Sequence, residues 1–384
     1  MKTKHEPGLS KERLNRLAEA ISRDIEAKKY NGGVITVARH GVIGLQEAFG
    51  FANREANRPC RLDDVFNIMS VTKAFTDVIV FSEMESGKLS LTTRVTDIIP
   101  EFKGGFKEQV TIFHLLTHSA GSPPIFYPVE ERLMGNHQAA FEACCKMGLM
   151  SDPGRKVEYS CTWGHVLLGE ILRRIDGGKR PLRDIFQEKL FSPLKMKGSS
   201  LGRRRDLNSR MVPIVVCGHY DQLTADSIEN LNEVIDENAE IPAWGAVSTV
   251  NDLFRFAEML RQGGELDGVR LLSPTTINAA TTIHTEGLEN EGLYPLFANH
   301  GWPPEPLNIG LDFTVRGKSI GYPTALGSLT SHRAFGKFGA GSTGLWVDPE
   351  WDVTFVFMSV GLLDEYDNFF RFHRLSDMAM AAVI

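Results

Sequence analysis

The run Phe66-Asn67-Ile68-Met69-Ser70-Val71-Thr72-Lys73-Ala74-Phe75, continuing as TDVIVFSEMESG to Gly87, is apolar on almost every side of a helix until the glycine stops it. A surface helix keeps its apolar residues on one stripe. This run has no such stripe, so it is expected as a buried central helix beginning near Ser70. Ser70 then sits in the first turn, near the positive end of the helix dipole, and Lys73 lies one turn on along the same face. Burial disfavours an ammonium, so Lys73 is pushed toward its neutral form, in which it can accept the serine proton.

On the N-terminal side, Leu14, Leu17, Ile21 and Ile25 recur at helical spacing between charged residues, which predicts an amphipathic helix over 9–27. Two β-rich runs, 33–39 and 42–49, meet at His40-Gly41 and read as a hairpin. From about 92 to 241 the pattern is mostly helix and loop, with helices expected over 111–116, 138–147, 162–175 and 182–190. Mixed content returns toward the C-terminus: a helix over 251–262, strands over 344–347 and 352–360, and a last helix over 367–382. The expected fold is α+β, an antiparallel sheet flanked by helices, with residues 1–91 and 242–384 forming one domain and 92–241 a mainly helical insertion. Residues 286–330 form a long Gly/Pro-rich stretch carrying Tyr294, Phe297, Trp302 and Phe313. A loop of that length inside a compact domain tends to cover a site.

Several short motifs point to other chemistries and fail on context. Gly198-Ser-Ser-Leu-Gly202 fits a nucleophile elbow, but Lys195-Met-Lys197 before it and Arg203-Arg-Arg205 after it supply neither the strand nor the helix that an elbow needs. Gly339 to Gly344 fits G-x-G-x-x-G, yet the segment that follows, LWVDPEWDVTFVF, is strand rather than helix. His114 and His118 have zinc spacing, but Leu115 stands where the glutamate of H-E-x-x-H belongs and no third ligand is evident, so a structural pair is expected. A second S-x-x-K, Ser192 to Lys195, has no apolar flank to desolvate its lysine.

A serine and a lysine still need a second proton carrier and a cradle for the oxyanion. Tyr159, on a turn before the helix at 162–175, and Lys337, in the glycine-rich stretch Phe335 to Gly341, are the candidates. Ser70-x-x-Lys73, Tyr159-Ser160-Cys161 and Lys337-Phe338-Gly339 stand in the order of the S-x-x-K, Y-x-N and K-T-G boxes. In this the chain resembles class C β-lactamases, D-alanyl-D-alanine peptidases and related esterases and transesterases. The resemblance extends through LTTRVTDIIPEF, VTIFHLLTHSAG, VEYSCTWGHVLLGEIL, WGAVSTVNDLFRFAEMLRQGGEL and GSTGLWVDPEWDVTFVF. It implies the β-lactamase/transpeptidase-like fold, acylation of Ser70, proton handling by Lys73 and Tyr159, electrostatic support of the Tyr159 oxygen or of a substrate acid by Lys337, and an oxyanion hole from the backbone N–H groups of Ser70 and Ala340. It calls for no cofactor and no metal.

Two departures bear on the substrate. Cys161 replaces the asparagine of the tyrosine box and offers no amide to a β-lactam or peptide side chain. Phe338 replaces the threonine of K-T-G. Both disfavour lactams and peptides and leave esters open, with Cys161, Phe338, Gly339, Trp302 and Tyr294 as expected substrate contacts. An acyltransferase acting on a natural-product alcohol, a weak β-lactamase or D-aminopeptidase, and a silent binding protein on the same fold are the alternatives.

The net charge of −6 offers no attraction for nucleic acid or anionic lipid, and no apolar run of about 18 residues could span a bilayer. The N-terminus lacks an export-type apolar region, and five cysteines without CxxC spacing suit neither a disulfide framework nor a zinc knuckle. A cytoplasmic enzyme with a small-molecule ester substrate is the expectation.

Overall fold

The computed structural model describes residues 7–123, 125–218, 225–290, 297–302, 307–319, 324–340 and 342–384. Helix α1 (Lys11–Glu26) is capped by Ser10, whose hydroxyl accepts from the Arg13 N–H, and its buried stripe contains Leu14, Leu17, Ile21 and Ile25. The hairpin forms where expected: β1 (Gly32–Arg39) and β2 (Val42–Asn53) turn at His40 and Gly41, both at positive φ as a tight two-residue turn requires.

With β3 (Arg58–Pro59), β4 (Thr314–Val315), β5 (Phe335–Gly339), β6 (Thr343–Asp348) and β7 (Val353–Val360), these strands build a seven-stranded antiparallel sheet among the described residues, in the order β4-β5-β6-β7-β1-β2-β3. The centre is the β7–β1 pair, with Ile35 opposite Phe357. Chain ends therefore meet in the middle of one sheet.

Period-two alternation sorts the side chains to the two faces. Ile35, Val37, Trp346, Phe355 and Phe357 pack with α1 and with α5 (Glu365–Met380), which contributes Phe372 and Leu375. Val34, Leu345, Val347, Val356 and Met358 join the opposite cluster with Phe75 of α2 (Val71–Glu85) and Phe256 of α4 (Val250–Arg261). That cluster continues without a break into Leu115, Trp163, Val166 and Leu167, the last three from α3 (Trp163–Ile175). The α2 run is buried from Val71 to Phe81, as its lack of a polar stripe demands.

The stretch 286–330 is less bare than a loop. Glu289–Asn290 pairs in parallel with Lys156–Val157, and β4 forms the edge of the main sheet. Two-residue strands show no periodicity, so sequence pattern has no way to announce them. The helix expected over 182–190 stops at Phe186 and continues as a wider turn, Gln187–Phe191. Among the described residues no helix is long and apolar enough to cross a membrane.

Candidate active site

Ser70 occupies the cap position of α2, yet its side chain makes no capping bond. The hydroxyl that would ordinarily satisfy the helix end is left to face Lys73. Just before it Met69 is held at φ 47, a left-handed conformation that side-chain-bearing residues rarely adopt and that tends to mark functional turns. The preceding Ile68 is pinned on both sides: its N–H donates to the Ala246 oxygen at 3.1 Å, and its oxygen accepts from the Thr343 hydroxyl at 2.9 Å. The end of β5 closes on the same turn. A Cβ at Gly339 would lie 2.4 Å from the Ile68 oxygen, so only glycine lets Gly339 and Ala340 approach the chain at Ser70.

Lys73 is fully buried and its ammonium is saturated by three acceptors: Ser70 Oγ at 3.2 Å, the Cys161 oxygen at 2.8 Å and the Ala243 oxygen at 3.0 Å. Burial, followed by the positive charge of Lys337, brings it down to about 8.

Tyr159 is set by the residue after it. The Ser160 N–H donates to His118 Nδ1 at 3.1 Å, and the Ser160 hydroxyl accepts from the Gly164 N–H in the first turn of α3 at 2.8 Å. The phenol ring packs on the His118 ring, with centroids 4.6 Å apart, and both Lys73 and Lys337 stand over it, at 5.3 and 6.0 Å. Burial pushes the Tyr159 phenol well up, although its interaction with Ser70 pulls the other way, so the neutral phenol is the resting form. Of the two groups, Lys73 is thus shifted toward its free amine and Tyr159 toward its neutral phenol.

Lys337 is paired within the protein. Its ammonium lies 2.5 Å from Asp312 Oδ2 and donates to the Asp312 backbone oxygen at 2.8 Å, so its charge is taken by a partner the motif reading did not contain. Asp312 also holds His118, whose Nε2 lies 2.5 Å from Oδ1. Because His118 Nδ1 accepts the Ser160 N–H, the ring proton sits on Nε2 and is donated to Asp312. Behind them His165 Nε2 stands 3.0 Å from Asp77 Oδ1 and 3.4 Å from Asp312 Oδ2.

Burial lowers both imidazoles, His165 to about 3, and raises the Asp77 carboxyl far above its ordinary range. Asp312 is held far below its own by Lys337 and the two histidines, against the opposing effect of burial. Sequence spacing had marked His118 only as half of a zinc-like pair with His114. That pair is divided: His114 Nδ1 meets the Thr111 N–H at its helix start. Atoms of Asp77, His165 and Asp312 lie within 4.8 Å of one another and could ligate a metal, but the Lys337 ammonium already provides the cation at Asp312.

Ser70, Tyr159, Cys161, Lys337, Phe338, Gly339 and Ala340 line one cavity of about 150 Å³. Its remaining wall is largely apolar, with Phe126, Ile228, Leu231, Leu307, Leu362 and Phe369. Burial raises the Cys161 thiol to about 11. Leu307, Ile309, Asp312, Thr314 and Thr324 come from the 286–330 stretch, whereas Trp302 does not line the cavity: its indole N–H is spent on the Tyr366 hydroxyl at 3.0 Å. Tyr294 lies outside the described residues. Ser192 and Ser200 are elsewhere, Ser192 exposed beside Gln187 and Ser200 donating to the Gly202 oxygen. A wider cleft of about 830 Å³ shares no residue with the Ser70 cavity, and its Arg132 and Arg173 are already paired with Glu130 and Glu170.

Comparison with known proteins places the chain in a family and a fold. The family model described as Beta-lactamase matches residues 17–373. Esterase/beta-lactamase LipL of Mycobacterium tuberculosis is 23% identical over 382 residues, 93% of this chain and 83% of LipL. A penicillin-binding protein homolog from Caulobacter crescentus superposes with a TM-score of 0.77 at 22% identity, covering 97% of this chain and 98% of that one. A family VIII carboxylesterase superposes with a TM-score of 0.76 at 20% identity over the same shares, 97% and 98%. The chain belongs to the beta-lactamase family, and with it to the serine hydrolases.

Proposed function

We propose that the chain is a serine carboxylesterase that hydrolyses small or medium-sized esters with apolar or aryl groups through an acyl-enzyme on Ser70. The observation that carries this reading is the 3.2 Å approach of Lys73 Nζ to Ser70 Oγ at the floor of an apolar-walled cavity. Lys73 takes the proton as Ser70 Oγ bonds to the carbonyl carbon, and the negative charge that develops on the carbonyl oxygen is met by the backbone N–H groups of Ser70 and Ala340. One such donor is worth roughly 10²–10³ in rate. The C–O bond to the alcohol then breaks, and the leaving oxygen receives a proton by way of Tyr159. Water attacks the acyl-enzyme in the reverse sense, giving up a proton to the same pair and releasing the acid.

Lys337 takes part at one remove: by pairing with Asp312, it fixes His118 and, through Ser160, the tyrosine turn. The names carried by LipL and the family VIII carboxylesterase support ester chemistry. All five cysteines are unpaired, which suits a reducing, cytoplasmic compartment. The test is a panel of p-nitrophenyl esters of graded chain length, assayed beside a chromogenic cephalosporin with and without added alcohols. Turnover should peak at short to medium acyl chains. Product partitioning wholly to the added alcohol would make the enzyme a transferase instead, and preference for the cephalosporin would sink the esterase reading.

A further inference from the structure

Two charged groups on the cavity wall, Lys337 and Asp312, neutralise each other. A third, Glu365, has no hydrogen-bond or ion-pair partner among the described residues. It is the first residue of α5, and Asn368 and Phe369, three and four positions on, share its face and line the same cavity. Leu362, Ile228 and Leu231 complete that side.

Stabilisation by the helix dipole does not by itself account for a carboxylate here. The exposed Asp367 supplies the same first turn with negative charge, and Asp364 already caps it by accepting the Tyr366 N–H at 2.8 Å. Glu365 is half-buried, and leaving it unpaired beside an apolar wall is unfavourable. Burial and the neighbouring Asp364 raise its carboxyl to about 7, which is what the approach of a cation would reverse. Glu365 lines the same cavity as Ser70, Tyr159 and Cys161.

We propose that Glu365 is a substrate-recognition residue that receives an ammonium carried by the ester, so that the preferred substrates of Ser70 are cationic esters. The proposal rests on the esterase reading and narrows it. A trialkylammonium group fits both features of this wall, one carboxylate for the charge and a Phe369–Leu362 surface for the alkyl groups. The same carboxylate disfavours substrates that bring an anion to this wall.

The experiment uses two pairs of isosteres, with the charge on either side of the ester. These are the p-nitrophenyl esters of 4-(trimethylammonio)butyric acid and 5,5-dimethylhexanoic acid, and the thioacetates of 2-(trimethylammonio)ethanethiol and 3,3-dimethylbutanethiol. In at least one pair kcat/KM should favour the cation by about tenfold or more, a gap expected of a charge pair in a desolvated site. Glu365→Gln should erase that ratio and Glu365→Lys should invert it. Unreactive ether analogues of the same pairs, titrated calorimetrically, should show the same order of affinities and read the selection without any turnover.

Failure of the esterase reading shows as no Ser70-dependent turnover of either member of a pair, and the ether titrations then still decide the role of Glu365. Equal kcat/KM and equal affinities within both pairs, or a preference that survives Glu365→Gln, overturns the proposal.

Discussion

Asp312 and Lys337 form a buried pair, Oδ2 to Nζ at 2.5 Å, and the other carboxylate oxygen of Asp312 holds His118 at the same distance. One carboxylate thereby ties β5 to the turn that carries Tyr159, because His118 accepts from the Ser160 N–H. Asp312→Asn keeps the shape and removes the charge. Breaking a buried pair leaves its partner uncompensated and typically costs about 3–5 kcal/mol. The variant should lose stability on that scale in urea denaturation, and kcat should fall more than KM rises, since Tyr159 would lose its orientation. A variant as stable and active as the parent would show that the cluster is incidental.

Ser70 should be the only serine that acylates. A fluorophosphonate probe should label it, and Ser70→Ala should abolish both labelling and turnover, while Ser192→Ala and Ser200→Ala keep them. Peptide mapping that placed the adduct on Ser200 would return the protein to the nucleophile-elbow reading.

The pH profile should follow Lys73. In the proposed mechanism its free amine is the base, and burial holds it at about 8, below its ordinary value. Raising the pH removes its proton, so kcat/KM for a neutral ester should climb about tenfold per unit below pH 8 and level off above it. The buried Tyr159 phenol is shifted upward, so the descending limb should lie above the ordinary phenol range. An ascending limb near pH 6 would point to a histidine as the base and refute the assignment.

Ester hydrolysis should exceed β-lactam hydrolysis by a wide margin. Cys161 lines the cavity with a thiol where an amide would hold an acylamido side chain. An unmet hydrogen bond in such a site costs about 1–3 kcal/mol, or roughly tenfold to a hundredfold in rate. Comparing kcat/KM for p-nitrophenyl butyrate and nitrocefin checks this, and Cys161→Asn should raise the nitrocefin value. Nitrocefin handled as well as the ester by the parent enzyme would overturn the argument.

The sequence by itself determined what depends on local pattern and order. An apolar run without a polar stripe fixed a buried α2 and with it a desolvated Lys73 one turn from Ser70, since no arrangement of that helix leaves Lys73 in water. The alternation around Ile35 and Phe357 made two-faced strands, and the order of the three boxes gave the family. Only the tertiary structure decided which groups meet. Asp312 lies in a segment without periodicity, distant in sequence from both His118 and Lys337, and a lone aspartate there carries no signal until the sheet brings β5 beside it. The same holds for Glu365: in sequence it is an ordinary acidic residue opening a helix, and it becomes a cavity wall because α5 packs across the sheet. Trp302 shows the reverse, a conspicuous aromatic whose indole N–H the fold directs to Tyr366 instead of the site. Pattern specifies burial because burial is a property of one segment against solvent, while partnership between charges is a property of two segments and waits for the fold to close.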